Sequence, residues 1–564
     1  MRNNFAIESL VDFPDDAIYA PEPITAAHID AMMRRLVECG VRRVSWAVYG
    51  DGQGGFLIPG HSSQYLNMAR TYQELGRNPL KVAAQAAHQH GLEIYGYFKP
   101  YETGPSLLFP EGSYEAVVYG RLSQLGGRMT WLDPFVADHP HLRIRRRRDD
   151  LPPGIQHTPI CSLKLRKKND APTRITPEHL QIWASDLNYR YHRLDIPFEV
   201  TETIKPCPRD VPDLFGEKLL ARKGDPQRVL TLHGLDIRDR HVLITTDFSE
   251  GPSDFENTDL EMLSAFDASG REITGVFASG STIWCPTLVD FRNWGLMFDH
   301  GCGGQLMCLD EPNGGGRNGV VAFTRSRNEY LPGALCETEP KVQAFWMKCI
   351  ATMLDSGVDG IDFREESHST HTDYPEEYGF NEIVLKKCRQ RGQTDLRTIA
   401  EVRGDAYTDF LGRAKLAINS RGKAMRIHFQ IDWYRPDPAR HRRLAYPANL
   451  DFQWQRWIEN GLTDEAVLRF FALPFDRVFN DPVAQEVIER CQRKGIPVSF
   501  NRYVAHMQPG TAAEDFQRVR QDGRFAGFIL YETGEGFLKI KPDGRCDIGL
   551  PYISTLRNHE SKKS

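Results

Sequence analysis

Residues 357–381 read GVDGIDFREESHSTHTDYPEEYGFN, and this stretch decides the predicted fold. A short apolar run is entered through glycines and ends abruptly in charged residues. Alternation along a strand places Asp362, Arg364 and Glu366 on one face. Because active sites of parallel barrels are built at the carboxyl ends of the strands, the stretch is predicted to be a barrel strand that delivers polar groups to a substrate. The alternative is an ion-paired turn in which Arg364 neutralises Glu366.

The order of helix, glycine and strand recurs along the chain, which is typical of βα units around a parallel sheet. The eight predicted strands lie within residues 41–52, 92–104, 319–335, 357–364, 423–434, 450–471, 496–504 and 526–536. Seven of them are preceded by a recognisable amphipathic helix. The pattern therefore predicts an α/β chain with a (β/α)8 TIM barrel.

A change of pattern interrupts the predicted barrel after about residue 150. From there to residue 288 the apolar runs are short and alternating, and turn signals such as Asp267–Gly270 separate them. Strands at this spacing indicate an inserted antiparallel β-sandwich domain. The predicted division is 1–150 for the first part of the barrel, 151–288 for the insertion and 289–564 for the remainder. The insertion either contacts carbohydrate or shields a barrel edge.

The composition of the 564 residues excludes several classes of protein. Hydrophobic residues make up 40%, charged residues 26%, and the formal net charge is −5 with both signs interspersed, so neither nucleic acid nor a membrane surface is expected as a partner. No apolar run of membrane-spanning length occurs. Eleven scattered cysteines without a C-x-x-C argue against a disulfide framework and favour a reducing compartment.

The amino terminus, MRNNFAIESLVDFPDD, lacks the apolar segment of a signal peptide. We therefore expect a cytoplasmic protein, or an exported one whose signal peptide is outside this sequence. No glycine-rich loop carries the lysine of a phosphate-binding motif, and no serine-hydrolase elbow is present in a suitable setting. No cofactor is predicted, and the oligomeric state is not predicted.

Polar and aromatic side chains gather at the predicted strand ends. On the strand within 423–434, His428, Gln430 and Asp432 share one face, which belongs in a polar barrel mouth rather than in an apolar core. Sugar rings stack on aromatic side chains, and sugar hydroxyls need hydrogen-bonding partners. The predicted substrate-binding residues are Trp46, Tyr97, Lys99, Arg327, Arg364, His368, His428, Gln430, Trp454, Asn501 and Arg502. Core packing explains Tyr97 and Lys99 about equally well.

Five segments carry a resemblance to a known family: RNEYLPGAL (327–335), SGVDGIDFR (356–364), PEEYGFN (375–381), WIENGLTDE (457–465) and AGFILYETG (526–534). In these segments the chain resembles the bacterial family-10-like glycosyl hydrolases, which are related to the glycosyl-hydrolase-like 10 barrel proteins. The resemblance covers both predicted barrel portions and leaves the insertion unexplained. It implies a (β/α)8 fold and glycosidase activity on a polysaccharide or oligosaccharide.

Glycoside hydrolysis usually requires two carboxyl groups, one protonated and one ionised. We predict Glu366 and Glu532 as this pair, with Asp432 in reserve. Glu532 follows an apolar strand and a phenol, and such surroundings favour the protonated form. The alternatives are an ion pair between Glu532 and an arginine across the barrel, and an Asp432 that only holds His428 in place.

Two other functions remain open from the sequence. A barrel that binds carbohydrate without cleaving it has the same strand-end residues. A metal-dependent lyase or isomerase acting on sugars is suggested by His368 and His371, which lie close to two glutamates. However, this H-x-x-H lies in a Ser/Thr-rich loop, and hydrogen bonds to sugar hydroxyls or to the loop backbone are the other reading. No metal is therefore predicted.

Overall fold

The structure is a computed structural model, and its description covers a defined set of residues. These are 5–13, 22–49, 71, 73–76, 78–101, 135, 139–149, 158–167, 169–185, 192–212, 219–247, 263–278, 319–325, 329–365, 375–431, 449–470, 475–503, 509–531, 539–540 and 546–547. The chain forms two compact units. The first comprises residues 1–57, 63–103 and 334–564, and the second comprises residues 58–62 and 104–333.

Eight parallel strands of the first unit close into a barrel. In chain order they are β1 (Ala6–Asp12), β2 (Val41–Tyr49), β3 (Glu93–Phe98), β4 (Gly360–Phe363), β5 (Ala424–Gln430), β6 (Glu465–Arg469), β7 (Val498–Tyr503) and β8 (Gly527–Tyr531). Each strand pairs with the next, and β8 closes the ring on β1. All carboxyl ends therefore lie at one end of the barrel, as in a (β/α)8 TIM barrel.

Helices of the same unit separate most of the barrel strands. They are α1 (Ala26–Glu38), α2 (Pro79–Gln89), α3 (Pro340–Asp355), α4 (Glu382–Gln390), α5 (Leu396–Ser420), α6 (Trp454–Glu459), α7 (Phe475–Val478), α8 (Pro482–Lys494) and α9 (Pro509–Asp522). Local chemistry sets their ends. For example, the Asp481 carboxylate accepts the backbone N–H groups of Val483 and Ala484 at the start of α8, and Gly495 ends α8 in the left-handed conformation.

The structure corrects two of the eight predicted barrel strands. Gly319–Arg325, predicted as the third strand, pairs antiparallel with His241–Thr246 of the second unit. The strand that completes the barrel is β1, which the sequence analysis did not identify. Alternating apolar residues occur in both kinds of strand, so the pattern alone cannot tell which sheet a strand joins.

The second correction concerns a segment that was predicted as a strand followed by a helix and is a helix followed by a strand. The segment within 450–471 was predicted to begin with a strand that carried Trp454 and to continue as a helix. Instead Trp454 begins α6, and the residues predicted as helical form β6. Both segments are short, and short apolar runs do not distinguish helix from strand.

The two larger sheets among the described residues of the second unit are antiparallel. One has the strand order Leu263–Phe266, Ile160–Arg166, Pro226–Ile237 and Glu199–Pro206, and the other has the order Val276–Ala278, Gly319–Arg325, His241–Thr246, Leu180–Ser185 and His192–Arg193. Residues of both sheets, including Leu163, Leu230, Ile182, Ile244 and Phe323, belong to one buried hydrophobic cluster. The prediction of a complete β-sandwich goes further than these pairings and stays a prediction.

The remaining elements are short. Tyr330–Leu335 pairs with Arg143–Arg145, Val211–Pro212 with Leu219–Ala221, and Lys539–Ile540 with Cys546–Asp547. Single turns of 3-10 helix span Pro140–Leu142, Pro177–His179 and Pro375–Glu377. Within the described residues, no helix combines the length and hydropathy that a transmembrane span requires.

Candidate active site

The amino-terminal half of the barrel interior is filled by charged side chains. We call Glu8, Arg43, Ser45, Asp362, Arg426 and Glu465 the amino-end tier. Arg426 donates to Glu8 at 2.6 Å, to Asp362 at 2.7 Å and, more weakly, to Glu465 at 3.3 Å. Arg43 donates to Glu8 at 3.1 Å and to Glu465 at 2.7 Å. Guanidinium and carboxylate groups thus compensate one another inside the barrel.

An aromatic ring and a glycine complete this tier. The Tyr95 ring lies between two guanidinium groups, 4.8 Å from Arg43 and 4.7 Å from Arg426. A Cβ on Gly360 would lie 2.2 Å from the Tyr95 ring and 2.6 Å from the Ala424 carbonyl oxygen. Gly360 is therefore required for the close approach of the ring to the strand.

Asp362 connects the amino-end tier to His428. One carboxylate oxygen of Asp362 accepts hydrogen bonds from Arg426 and, at 2.8 Å, from Ser45. The other lies 2.9 Å from His428 Nε2, off the line of an ideal hydrogen bond. Burial would raise the pKa of Asp362, but Arg426 and His428 together lower it well below its usual range. Asp362 is therefore ionised.

The carboxyl-terminal half of the interior is built from different groups. We call Tyr97, Arg364, Arg469, Asn501 and Tyr531 the carboxyl-end tier. Arg364 donates to the Tyr531 hydroxyl at 2.6 Å and to the Tyr97 hydroxyl at 3.4 Å. Arg469 donates to Asn501 Oδ1 at 3.2 Å and lies 4.2 Å from the centre of the Tyr531 ring. Guanidinium, phenol and amide groups thus line the end of the barrel at which all strands terminate.

Three further predicted residues lie on or beside this half of the interior. His428 meets the edge of the Tyr97 ring, with 5.5 Å between ring centroids. Gln430 is buried at the end of β5, and Lys99 is buried directly after β3, with its Nζ 5.9 Å from the centre of the Tyr97 ring. The structure therefore brings together Tyr97, Lys99, Arg364, His428, Gln430 and Asn501 in the described interior. Both His428 and Gln430 are buried, and their role in substrate binding stays a prediction.

Three other predicted binding residues lie elsewhere. Trp46 is fully buried and stacks on Phe13, with 4.9 Å between ring centroids. Arg502 bonds to Asp515 of α9 at 2.8 Å. Both alternate along their strands with interior residues and so face the helix layer. Trp454 is buried in α6, outside the strand ends. The structure does not gather these three with the carboxyl-end tier.

Glu365 occupies the opposite face of β4 from Arg364. Its side chain is 2% exposed and accepts a hydrogen bond from the Tyr407 hydroxyl of α5 at 3.2 Å. Burial raises the pKa of the Glu365 carboxyl to about 8. Nearby, the buried Glu337 carboxylate accepts two hydrogen bonds from Arg403, at 2.7 and 2.9 Å. The helix side of β4 thus holds a protonated carboxyl group at neutral pH.

The three predicted catalytic residues lie outside the described residues, as do His368 and Arg327. In the chain, however, each carboxyl residue directly follows a described residue at a strand end. Glu366 follows Glu365 after β4, Asp432 follows Ile431 after β5, and Glu532 follows Tyr531, the last residue of β8. Their roles stay predictions.

Among the residues that the structure describes, no group of three or more His, Cys, Asp or Glu side chains is placed to hold a metal ion. His368 and His371 are outside this set.

Sequence reasoning missed the residues that link distant segments. Glu8, Arg43 and Arg469 were not singled out, although all three contribute to the barrel interior. Alternation gives a signal for Arg469, since Glu465 and Arg469 are polar positions on one face of β6. The contact between Glu8 and Arg426 joins positions 418 residues apart, and no local pattern predicts it.

No family model and no curated protein sequence matches the chain. Among solved structures, the glycoside hydrolase domain of PelA from Pseudomonas aeruginosa is 12% identical, with a TM-score of 0.22; the match covers 37% of this chain and 65% of that domain. The catalytic domain of beta-amylase from Paenibacillus polymyxa is 9% identical, with a TM-score of 0.39 and 99% of both chains covered.

An old yellow enzyme homologue from Zymomonas mobilis is 10% identical, with a TM-score of 0.35; the match covers 98% of this chain and 95% of that chain. At such identities and TM-scores these likenesses carry no functional argument. The resemblance to family-10-like glycosyl hydrolases therefore stays a prediction, and the assignment of a barrel depends on the closed ring of strands itself.

Proposed function

We propose that the protein is a glycoside hydrolase that cleaves a glycosidic bond in a poly- or oligosaccharide at the carboxyl ends of its barrel strands. The observation that carries the proposal is the carboxyl-end tier. Its guanidinium, phenol and amide groups match the hydrogen-bonding needs of sugar hydroxyls.

The proposed chemistry uses the carboxyl groups that follow the strands in sequence. Glu366 and Glu532 form the pair, one as the general acid that protonates the leaving oxygen and the other as the nucleophile or as the base that activates water. Asp432 is the reserve candidate. The arginines Arg364 and Arg469 supply fixed positive charge at this end of the barrel, which favours the ionised member of such a pair.

The test is a screen of polysaccharides and oligosaccharides in which newly formed reducing ends are measured. We expect the wild-type protein to release reducing ends from at least one substrate. Glu366→Gln and Glu532→Gln should each lower turnover by about 10²- to 10⁴-fold, the contribution of a general acid or base. Asp432→Asn should have a smaller effect.

Glu376→Gln is the matched control, because Glu376 is an exposed glutamate ten residues beyond Glu366. Turnover should be unchanged in this variant. Unaltered turnover in both Glu366→Gln and Glu532→Gln would contradict the assignment of the pair. Binding of a sugar by a wild-type protein that releases no reducing ends would replace the hydrolase with a carbohydrate-binding barrel.

A further inference from the structure

His428 and Asn501 are buried in the barrel interior, and each has a side-chain atom without a hydrogen-bond partner among the described residues. His428 is 1% exposed and Asn501 is 3% exposed. The atoms concerned are both ring nitrogens of His428, of which Nε2 lies beside Asp362, and Nδ2 of Asn501. Buried polar atoms are nearly always hydrogen-bonded, so unsatisfied atoms in the barrel interior require an explanation.

Asp362 decides which nitrogen of His428 carries the proton. The ionised Asp362 carboxylate lies 2.9 Å from Nε2, and a lone pair on Nε2 would be repelled by it. The proton therefore resides on Nε2. Burial lowers the pKa of His428, so the ring is neutral. Its Nδ1 is consequently an unprotonated hydrogen-bond acceptor.

Arg469 fixes the orientation of Asn501. Arg469 donates to the Asn501 side chain at 3.2 Å, which places the amide oxygen towards the guanidinium group. The Nδ2 atom then points away from Arg469 as a hydrogen-bond donor. The amide thus offers a donor, whereas the imidazole offers an acceptor.

Strand pairing places both residues in the same part of the barrel wall. Val467 of β6 pairs with His428 on one side and with Ser499 on the other. Asn501 lies two residues after Ser499 and therefore on the same, interior face of β7. Arg469 is two residues after Val467, between the two strands, and bonds to Asn501.

We propose that His428 Nδ1 and Asn501 Nδ2 form an acceptor–donor pair that binds the hydroxyl groups of one sugar residue, with Asp362 as a positioning residue. A hydroxyl both donates and accepts, so one hydroxyl donates to His428 and the same or a neighbouring oxygen accepts from Asn501. The identification of the ligand as a sugar depends on the proposed function. A buried water bound by the same two atoms is the competing occupant.

The first experiment replaces His428 by two residues, each of which keeps a polar atom at only one of the two ring-nitrogen positions. In Gln the terminal amide reaches the position of Nε2 and can still donate to Asp362, but nothing accepts at the position of Nδ1. In Asn the amide oxygen can occupy the position of Nδ1, but the contact with Asp362 is lost. We expect His428→Gln to bind sugar about 10- to 100-fold more weakly than His428→Asn, although it unfolds at the higher temperature of the two.

The second experiment removes the donor of Asn501 alone. Asn501→Asp keeps an oxygen for Arg469 and loses Nδ2. We expect about a 10- to 100-fold loss of sugar binding without a lower unfolding temperature. His88→Gln is the control, because His88 lies 2.9 Å from Asp359 in an exposed pair outside the barrel interior. This variant should bind as the wild type does.

Binding is measured with the labelled full-length protein on an array of cello-, chito-, malto- and xylo-oligosaccharides, which requires no hydrolysis. Equal binding by His428→Gln and His428→Asn, or loss of stability without loss of binding, would overturn the pair and favour the buried water. If the wild type binds a sugar and cleaves none, the hydrolase proposal fails and the variants still test the pair. If the wild type neither binds nor cleaves any sugar, both proposals fail.

Discussion

The two halves of the barrel interior use arginine in opposite ways. In the amino-end tier, Arg43 and Arg426 bond to the carboxylates of Glu8, Asp362 and Glu465. In the carboxyl-end tier, the described hydrogen bonds of Arg364 and Arg469 go to two phenols and an amide. Among the described hydrogen bonds, arginine therefore pairs with carboxylates in one tier and with neutral groups in the other.

This difference indicates a division of labour along the barrel axis. A buried carboxylate–guanidinium network whose partners satisfy one another mainly sets structure, because removal of one member leaves an uncompensated charge. Guanidinium groups that bond to phenols and an amide lie near the strand ends, where barrel active sites are built. We therefore expect mutations in the first tier to affect stability and mutations in the second to affect ligand binding and turnover.

The largest expected effect is at Arg426. Arg426→Met leaves Glu8 and Asp362 buried without their main cation, so the free energy of unfolding should fall by about 3–5 kcal/mol. Denaturant titration measures this free energy of unfolding. Arg421→Met is the control, since Arg421 pairs with Asp355 at the surface and should change this free energy by less than about 0.5 kcal/mol. Equal effects in the two variants would contradict a structural role of the amino-end tier.

The second expected effect is a pH dependence of stability caused by Glu365, which lies on the opposite face from Arg364. The pKa of Glu365 is about 8 in the folded protein, so its carboxyl stays protonated while that of the unfolded chain ionises near its ordinary pKa of 4.5. Stability should therefore fall as the pH rises from about 4.5 to 8, and Glu365→Gln should remove this loss. Relative to wild type, we expect the variant to gain about 2–4 kcal/mol between pH 5 and pH 8.

Denaturant titrations at several pH values check this prediction, with Glu376→Gln as an exposed control that should show no such gain. A gain at low pH instead of high pH would mean that Glu365 is ionised in the folded protein.

An intermediate loss of stability is expected when the space beside the Tyr95 ring is filled. Gly360→Ala forces a Cβ into the Tyr95 ring and the Ala424 carbonyl, so we expect a loss of about 1–3 kcal/mol. Gly412→Ala is the contrast, because Gly412 lies in α5 with no atom near the new Cβ and should gain about 0.5–1 kcal/mol. Thermal unfolding of both variants provides the comparison. Similar stability in the two variants would show that the amino-end tier is not closely packed.

The smallest expected change in stability is at Tyr531. Tyr531→Phe removes the hydroxyl that accepts from Arg364 at 2.6 Å, at a cost of about 0.5–1.5 kcal/mol. Ser499→Ala removes a hydrogen bond to Glu465 in the amino-terminal half and should cost a similar amount. Steady-state kinetics should then distinguish the two variants. We expect kcat/KM to fall about tenfold or more in Tyr531→Phe and to stay unchanged in Ser499→Ala.

Much of the barrel and part of the candidate site could be predicted from the sequence. Six of the eight strands were correctly located, because helix, glycine and strand recur in order around them. The polar face of β5 was also recognised from alternation. The pairing of Arg426 with Glu8 and Asp362, which accommodates the amino-terminal part of that face inside the barrel, could not be predicted, because the three residues are far apart in the chain.

The errors have a common physical origin in non-local contacts. The strand Gly319–Arg325 has the same local pattern as a barrel strand, but its partner is His241–Thr246. Likewise β1 has no preceding helix in the pattern and is identified only by its pairing with β2 and β8. The high pKa of Glu365 comes from its burial, which outweighs the opposing effect of the hydrogen bond from Tyr407 of α5, forty-two residues away in the chain.

The most direct test of the account is the release of reducing ends by the Glu366→Gln/Glu532→Gln double variant, on the substrate that the wild-type protein cleaves. The account predicts turnover reduced by at least about 10³-fold, with sugar binding and the free energy of unfolding retained. Turnover within tenfold of wild type in a folded double variant would contradict it.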